Sequence, residues 1–250
     1  GLHGADGEDG KIQATLELLG VPYTGSSYLG SGMAMDKIVS KTVMQHYGIR
    51  TPAWKEYTLT EQEIPALAAS LPLPCVVKTP NGGSSIGVAL PDTRQELEQA
   101  LRTALQFDAR VLIETRIIGR EITVPVLDQH YLPAIEIVPP EGTYFDYVAK
   151  YQSGAEGAQE ICPAPITKQQ FEEMGEMALR LHRALGLSVS SRADFILDAD
   201  GTPWCLEINT LPGMTPASLL PKSAAQAGLS YGGLCETIAQ LSLKARASAR

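Results

Sequence analysis

The sequence predicts a mixed fold of helices and β-strands, of the α+β or α/β class. Two observations indicate this class. Apolar residues recur at helical spacing after capping signals in three segments, and short runs rich in β-branched residues lie between those segments. A chain of 250 residues with 44% hydrophobic composition can bury a sizeable core and can contain more than one domain.

Three segments carry the start and stop signals of helices. The first begins after Asp36, a favourable N-cap residue, and ends at Gly48. The second and third open with a capping box, in which a threonine is followed three residues later by glutamate or glutamine. The boxes are Thr93 with Glu96 and Thr167 with Gln170, and the third helix ends at Gly186.

Four short runs of β-branched and apolar residues predict strands between the helices. They are Cys75–Lys78, Val111–Glu114, Ile122–Leu127 and Leu132–Val138. Residues 79–87 and 139–165 follow neither pattern. Stretches of this length without regular structure tend to be functional or mobile, so we expect loops there that could close over a site.

Charge and hydropathy restrict the partners and the compartment. The net charge of −8 disfavours nucleic acid, whose phosphates attract basic proteins, but it leaves small anionic ligands possible because a pocket needs only a few local cations. There is no apolar run of about eighteen residues and no secretion signal, so we expect no membrane partner and a cytoplasmic location. The chain opens without methionine in a glycine-rich stretch, and we expect that upstream sequence is absent.

The strongest local pattern is a predicted β-hairpin over residues 191–209. Two strand-like runs flank the turn-rich tetrapeptide Ala199–Thr202. If these four residues form the loop, Asp198 pairs with Pro203. The same register places Asp194 opposite Glu207.

Continued along the strands, this register places Arg192 opposite Asn209, on the same face as the two carboxylates. The other face would hold Phe195, Leu197, Leu206 and Ile208. Like charges directly opposed destabilise a sheet, so a cation is expected between them, and magnesium prefers such oxygen ligands. The candidate ligands are Asp194, Glu207 and Asn209, and a second ion could share Glu207. The alternative is an exposed sheet face with solvated charges.

A second candidate site is a phosphate-binding loop. Lys78 ends a predicted strand and precedes residues 79–87, which contain three glycines and two serines whose N–H and hydroxyl groups can hold phosphates. The pattern is neither a Walker A motif nor a dinucleotide fingerprint, so an ordinary flexible loop is the alternative. Lys37 and Lys150 are further candidate cations or ordinary surface lysines. Gly213, after the hairpin, could bring a backbone N–H close to a reacting oxygen or form a plain turn.

Several motifs, in the same order along the chain, carry a resemblance to a known family. The most specific is Glu207-Ile208-Asn209-Thr210-Leu211-Pro212-Gly213-Met214. The others are Leu2-His3-Gly4, Gly7-Glu8-Asp9-Gly10, Pro22-Tyr23-Thr24-Gly25-Ser26, Met35-Asp36-Lys37, Gly83-Ser84-Ser85-Ile86-Gly87, Gly119-Arg120-Glu121, Tyr147-Val148-Ala149-Lys150-Tyr151 and Arg192-Ala193-Asp194. Together they span nearly the whole chain. With them the sequence resembles the D-alanine–D-alanine ligases of the ATP-grasp superfamily.

The resemblance implies an ATP-grasp fold, in which a nucleotide is held between two α+β subdomains. Residues 37–117 would form the central subdomain, and residues 118–250 would form the C-terminal subdomain with the metal site. Residues 1–36 would be the remainder of an N-terminal α/β domain that binds substrate.

The resemblance also implies a role for each candidate residue. The metal ligands, for two Mg²⁺ ions or for Mn²⁺, would be Asp194, Glu207 and Asn209. The residues that bind ATP would be Lys37, Lys78, Ser85, Glu114, Ile117, Glu121 and Lys150. The catalytic residues would be Arg192 and Gly213 at the oxyanion, with Ser84 and Tyr151 in closing loops. The substrates would lie near His3 and Glu8 for the first, and near Ser218 and Leu219 for the second.

The implied reaction joins two D-alanines through an acyl phosphate at the expense of ATP, for peptidoglycan precursor synthesis by a cytoplasmic homodimer. Tyr151 follows the pattern of relatives that take D-alanine rather than D-lactate as second substrate. The chain departs from the family in lacking its opening strand, in Val148 where many relatives have glutamate, and in Ser190-Ser191 where an aromatic residue is common. Two alternatives stay open: an ATP-grasp ligase for another acid and amine, and a nucleotide-binding module that is inactive without the missing N-terminus.

Overall fold

Two antiparallel sheets form the framework of the computed structural model, which describes residues 1–4, 6–82, 87–139 and 158–247. The first sheet contains β1 (Trp54–Thr58), β2 (Cys75–Lys78), β3 (Val88–Ala89) and β4 (Arg110–Thr115). Its strand order is β1-β4-β2-β3, and every neighbouring pair is antiparallel. This order places β2, which ends at Lys78, next to β4, which carries Glu114.

The second sheet follows the first in the sequence. It contains β5 (Gly119–Leu127), β6 (His130–Tyr131), β7 (Ile135–Val138), β8 (Gln159–Ile161), β9 (Ser190–Asp198) and β10 (Pro203–Asn209). The strand order is β10-β9-β5-β7-β8, and β6 pairs with β5. The predicted hairpin therefore lies at one edge of this sheet, with β9 between β10 and β5.

Helices surround both sheets. They are α1 (Lys11–Leu18), α2 (Tyr28–Met35), α3 (Lys37–His46), α4 (Ile64–Ser70), α5 (Arg94–Leu105), α6 (Lys168–Ala184), α7 (Leu219–Gln226) and α8 (Tyr231–Ala247). The predicted caps are confirmed: Asp36 Oδ1 accepts hydrogen bonds from Ile38 and Val39, and both capping boxes form. Within the described ranges, no helix has the length and apolar character that crossing a membrane requires.

Each sheet has its own hydrophobic core. Leu97 and Leu101 of α5 are fully buried against the first sheet, and Met174 of α6 is fully buried in the core of the second sheet together with Phe195. Met44 of α3 also packs in the second core, with no exposed surface. Helix α3 is therefore anchored to the second sheet although it precedes the first sheet in the sequence.

One strand prediction and one loop prediction were wrong in part. Residues 132–134 lie outside β7, because Pro133 has no N–H to donate to a ladder. Conversely, β8 lies inside the stretch 139–165 and pairs with β7. Strand β1 was not predicted: its first four residues are Trp54-Lys55-Glu56-Tyr57, and the two charged ones are exposed.

The hairpin carries a β-bulge that the sequence did not reveal. Asp194 pairs with Glu207 as predicted, but Pro203 pairs with Leu197 and not with Asp198, and the register shifts between Cys205 and Glu207. The reason lies in the turn, where the Asp198 carboxylate accepts hydrogen bonds from the N–H groups of Asp200 and Thr202 at 3.0 and 2.8 Å.

The bulge corrects the predicted face of Leu206. This residue was expected among the core residues, yet it lines a cavity together with Ile196, while Cys205 and Ile208 are buried in the core. A bulge opposes two residues of one strand to one residue of its partner, so Leu206 and Glu207 both face away from the core.

A buried histidine connects α6 to β9. His182 has no exposed surface, and its Nδ1 lies 2.8 Å from Ser191 Oγ. Burial, with a smaller contribution from Arg183, lowers the pKa of His182 to about 4. The imidazole is therefore neutral in the folded chain at neutral pH.

We predict that His182 makes the protein less stable in mild acid. Between pH 6.5 and 4 the unfolded chain binds a proton that the folded chain excludes, so the free energy of unfolding falls as the pH falls through this window. The contribution approaches roughly 3 kcal/mol at its lower end. In urea titrations at several pH values, the free energy of unfolding of His182→Gln should depend less steeply on pH than that of the wild-type protein. The exposed His130→Gln control should keep the wild-type slope, and an unchanged slope in His182→Gln would contradict the assignment.

Candidate active site

Two cavities lie on the face of the β9–β10 hairpin that is turned away from the core. The larger one has a volume of about 320 Å³ and walls of mixed polar and apolar surface, and the smaller one has a volume of about 160 Å³ and mostly apolar walls. Glu207 lines the larger cavity and its neighbour Leu206 lines the smaller. The bulge thus makes one strand serve both cavities.

The larger cavity brings together eight of the residues that were predicted from the sequence to belong to a site. Its walls contain His3, Glu8, Lys37, Arg192, Asp194, Glu207, Asn209 and Gly213. They come from the N-terminal segment, from α3, from strands β9 and β10, and from the turn after β10. Ser218 and Leu219 are not among its walls but lie at the start of α7, and the Ser218 side chain is next to Gly213.

Asp194 is a buried carboxylate held by two neighbours. Only 2% of it is exposed. Arg192 donates from Nε to Oδ1 and from Nη2 to Oδ2, both at 3.0 Å, and the Thr123 hydroxyl donates to Oδ1 at 2.5 Å. Because a buried charge needs a partner, the guanidinium stabilises the ionised carboxylate in this position.

Lys37 lies between the glycine-rich loop and the hairpin. Its Nζ donates to the carbonyl oxygen of Gly82 at 2.6 Å and lies 3.8 Å from Glu207 Oε2. Its backbone N–H donates to the carbonyl oxygen of Pro80 at 2.9 Å. The first residue of α3 therefore fixes the described part of the loop beside the carboxylate face.

The turn after β10 is held by short-range contacts. Asn209 Oδ1 accepts a hydrogen bond from the N–H of Leu211 at 2.8 Å, which fixes the side-chain amide. A Cβ atom at Gly213 would lie 2.8 Å from Ser218 Oγ, so only glycine fits there without a shift. Tyr231 of α8 donates from its hydroxyl to the carbonyl oxygen of Met214 at 2.7 Å.

The smaller cavity has walls from both sheets. The apolar residues on its walls are Pro52, Val76, Val88, Leu90, Ile117, Ile118, Ile196 and Leu206. The polar residues Lys78, Glu114 and Glu121 also line it, and all three are buried. A mostly apolar cavity with a few buried polar groups suits the ring system of a nucleotide base.

Glu114 lies between two lysines inside the protein. Its Oε2 is 2.9 Å from Lys78 Nζ, and its Oε1 is 3.0 Å from Lys41 Nζ. Burial would raise the pKa of the carboxyl, but the two ammonium groups outweigh it and hold this pKa below its usual value. The pKa of Lys78 is raised because the carboxylates of Glu114 and Glu207 outweigh the opposing effect of burial.

Lys41 was not among the predicted site residues. A single lysine in a helix is normally exposed, whereas Lys41 is only 1% exposed. The available signal was its spacing, because Lys37, Lys41 and Met44 follow one face of α3 at intervals of four and three residues. Four predicted residues, Ser84, Ser85, Lys150 and Tyr151, lie outside the described residues.

Two sheets with a nucleotide-sized cleft between them, a buried lysine on one side and a carboxylate hairpin on the other define an enzyme of the ATP-grasp class. Comparisons with known proteins agree. The family model described as "D-ala D-ala ligase C-terminus" matches residues 42–240. The chain therefore belongs to the D-alanine–D-alanine ligase family.

Individual relatives support this assignment. A D-alanine–D-alanine ligase of Bordetella petrii is 44% identical over 95% of this chain and 73% of its own length. A D-alanine–D-alanine ligase of a Synechococcus strain is 42% identical over 100% of this chain and 77% of its own length. The crystal structure of the Bacillus anthracis ligase complexed with ATP aligns with a TM-score of 0.83 and 38% identity, covering 100% of this chain and 79% of that one.

We predict that Glu114→Gln destabilises the fold, because it removes the carboxylate that the buried Lys41 and Lys78 share. Breaking a buried ion pair by removing one partner costs about 3 kcal/mol or more. Glu172→Gln is the matched control, because Glu172 forms an exposed pair with Lys168 at 3.6 Å, and such pairs contribute about 0–1 kcal/mol. Urea unfolding at pH 7 measures both. Equal midpoints for the two variants would show that the buried pair is not needed.

Proposed function

We propose that this chain catalyses the ATP-dependent ligation of two D-alanines to D-alanyl-D-alanine, a step of peptidoglycan precursor synthesis. One observation carries the proposal: a cavity lined by three carboxylates, an arginine and a lysine lies beside an apolar slot, and one hairpin lines both. Relatives that share 42–44% of its residues bear the name of this ligase. The substrates would be ATP and D-alanine.

In the proposed binding mode the adenine base occupies the apolar slot. Ile117 would lie along the base, and the buried carboxylates of Glu114 and Glu121 would hold the adenosine by hydrogen bonds. Lys78 and Lys37 would contact the phosphates, joined by Ser85 and Lys150 from the two long loops. Lys37 would then exchange the carbonyl oxygen of Gly82 for a phosphate oxygen, which attracts the ammonium more strongly.

The donor set fits magnesium. Asp194, Glu207 and Asn209 offer two carboxylates and one amide oxygen on the same side of one hairpin, and all three line the same cavity. Oxygen donors of this kind favour magnesium over zinc, which prefers nitrogen and sulfur ligands. Two magnesium ions, or manganese in their place, would neutralise charge on the phosphoryl group during its transfer.

In the proposed first step the carboxylate of one D-alanine, bound near His3 and Glu8, attacks the γ-phosphoryl group of ATP. The products are an acyl phosphate and ADP. The lysines of the cleft balance the charge of the phosphates, and this electrostatic stabilisation is the main task of the protein in phosphoryl transfer. Ser84 and Tyr151 would belong to loops that exclude water, because water would hydrolyse the acyl phosphate.

In the second step the amine of another D-alanine attacks the carbonyl carbon of the acyl phosphate. The tetrahedral oxyanion would accept hydrogen bonds from Arg192 and from the N–H of Gly213. Phosphate then leaves and the amine loses a proton. The second carboxylate would be received at the start of α7, by Ser218 and Leu219. For Arg192, this role requires that part of its bonding to Asp194 is given up or shared.

The organisation of the chain is also a proposal. A boundary between residues 117 and 118 falls between β4 and β5, which belong to different sheets. We propose that α3, in the subdomain 37–117, bridges the two halves, since Met44 packs in the core of the second sheet. Residues 1–36 would belong to the domain that binds the first substrate. A cytoplasmic homodimer is the assembly that we expect, and sedimentation would test it.

The proposed reaction predicts ADP release that depends on D-alanine. Purified protein should release ADP from magnesium ATP with D-alanine and form one dipeptide for each ADP, as measured by chromatography. L-Alanine should not replace D-alanine, and D-serine or D-lactate paired with D-alanine should be poorer substrates. Turnover with another acid and amine would favour a different ATP-grasp ligase. Magnesium-dependent ATP binding without any turnover would favour a non-catalytic nucleotide-binding module.

We predict that Glu207→Gln lowers kcat by about 100-fold or more, because an amide is a weaker magnesium ligand than a carboxylate. The shape of the side chain is kept, so the unfolding midpoint should change little. The magnesium concentration for half-maximal activity should rise as well. Glu236→Gln, at an exposed position of α8, is the matched control and should keep wild-type kinetics. Wild-type activity in Glu207→Gln would exclude Glu207 as a metal ligand.

A further inference from the structure

Lys41 is a buried cation to which the proposed reaction assigns no role. It lies on the second turn of α3 and is only 1% exposed, although lysine is among the residues that are least often buried. It lines neither of the two cavities. Burying a charged group costs desolvation free energy, which its contacts in the folded chain must offset.

Lys41 has contacts in two directions. Its Nζ lies 3.0 Å from Glu114 Oε1 on β4, in the first sheet. The same Nζ donates to Thr51 Oγ1 at 2.5 Å, and the Thr51 hydroxyl donates in turn to the carbonyl oxygen of Cys205 at 2.8 Å, on β10 of the second sheet. A single ammonium therefore joins the facing strands of the two sheets.

Both ends of this chain of contacts lead to residues of the proposed site. Glu114 uses its other oxygen to hold Lys78 at 2.9 Å, and Lys78 lines the apolar slot. Cys205 directly precedes Leu206 and Glu207, the bulge residues that line the two cavities. The N–H of Cys205 also bonds to the carbonyl oxygen of Arg50 at 2.9 Å, so the segment around Thr51 runs along β10.

The charges of these residues also indicate that Lys41 influences Lys78. Lys41 and Lys78 share one carboxylate, so the Glu114 side chain is divided between two amino groups beside the cleft. Burial lowers the pKa of Lys41, against the attraction of Glu114, whereas the pKa of Lys78 is raised. Without Lys41, Glu114 would be neutralised by Lys78 alone, and Lys78 would be less available to an anionic ligand.

We propose that Lys41 is a positioning residue for the nucleotide: it holds Glu114 so that Lys78 points into the cleft, and it links Lys78 to the strand that carries Glu207. The inference rests on the proposed function only in that the ligand of the cleft is a nucleotide. It assigns no contact between Lys41 and that ligand. Replacing Lys41 should therefore change the affinity for the nucleotide rather than the use of D-alanine.

The test compares direct binding with kinetics. Calorimetry measures the Kd of a non-hydrolysable ATP analogue with magnesium, and steady-state assays give KM for ATP, KM for D-alanine and kcat. For Lys41→Met we expect the Kd and the KM of the nucleotide to rise by about tenfold or more. KM for D-alanine should stay within about twofold, because the residues proposed to bind D-alanine are not part of this network. Lys41→Arg, which keeps the charge, should recover most of the affinity.

Two further variants separate positioning from stability. Met44→Ala removes a fully buried side chain from the same helix without touching the network. It should lower the unfolding temperature and leave nucleotide Kd unchanged. Thr51→Val keeps every charge but removes the link to Cys205, and we expect a smaller rise in Kd of about threefold. If Lys41→Met does not fold, Lys41→Arg and Thr51→Val still decide the question.

The outcomes distinguish the two proposals. If the wild-type protein binds the nucleotide and the Lys41 and Thr51 variants bind it equally well, the role of Lys41 is wrong and the proposed function stands. If Met44→Ala weakens binding as much as Lys41→Met does, the effect is general destabilisation and the positioning role is also wrong. If the wild-type protein binds no nucleotide, both proposals fail together.

Discussion

The bulge between Cys205 and Glu207 is the constraint on which the site depends. In an unbroken ladder, neighbouring residues point to opposite faces, so Leu206 and Glu207 could not both face the cleft. The bulge turns both toward it, while Cys205 and Ile208 stay in the core. One strand can therefore supply an apolar wall for one cavity and a carboxylate for the other. Without the bulge, either Glu207 would enter the apolar core or Leu206 would leave the slot.

Buried carboxylates and their cations form the second common feature of the cleft. Asp194 is held by Arg192, and Glu114 is held by two lysines. Each carboxylate is tolerated inside the protein only because these cations neutralise it. The arginine and one of the lysines also line the cavities. In a chain with a net charge of −8, such local cations are what allows an anionic ligand to bind.

The sequence predicted the parts of the fold that depend on neighbouring residues. The caps at Asp36, Thr93 and Thr167 were correct because each requires only a side chain and the next three N–H groups. The predicted pairing of Asp194 with Glu207 was also correct, although the predicted register from which it was derived was wrong near the turn. The turn takes up Asp198 and shifts the register by one residue, and the bulge shifts it back.

Features that depend on distant contacts could not be predicted in this way. No local signal says that a bulge will compensate for a turn. The burial of Lys41 could not be predicted from the sequence, because its partners Thr51 and Glu114 come close to it only when the two sheets pack together. The proposed roles of Ser84, Ser85, Lys150 and Tyr151 stay predictions from the resemblance.

Helix α3 contacts both sheets and the loop after β2. Lys37 contacts the loop after β2, Lys41 contacts β4 and Thr51, and Met44 is buried in the core of the second sheet. Because a helix rises about 1.5 Å for each residue, the contact points of Lys37 and Lys41 are about 6 Å apart along a rigid axis. One helix therefore connects the described part of the loop after β2, strand β4 and the core of the second sheet.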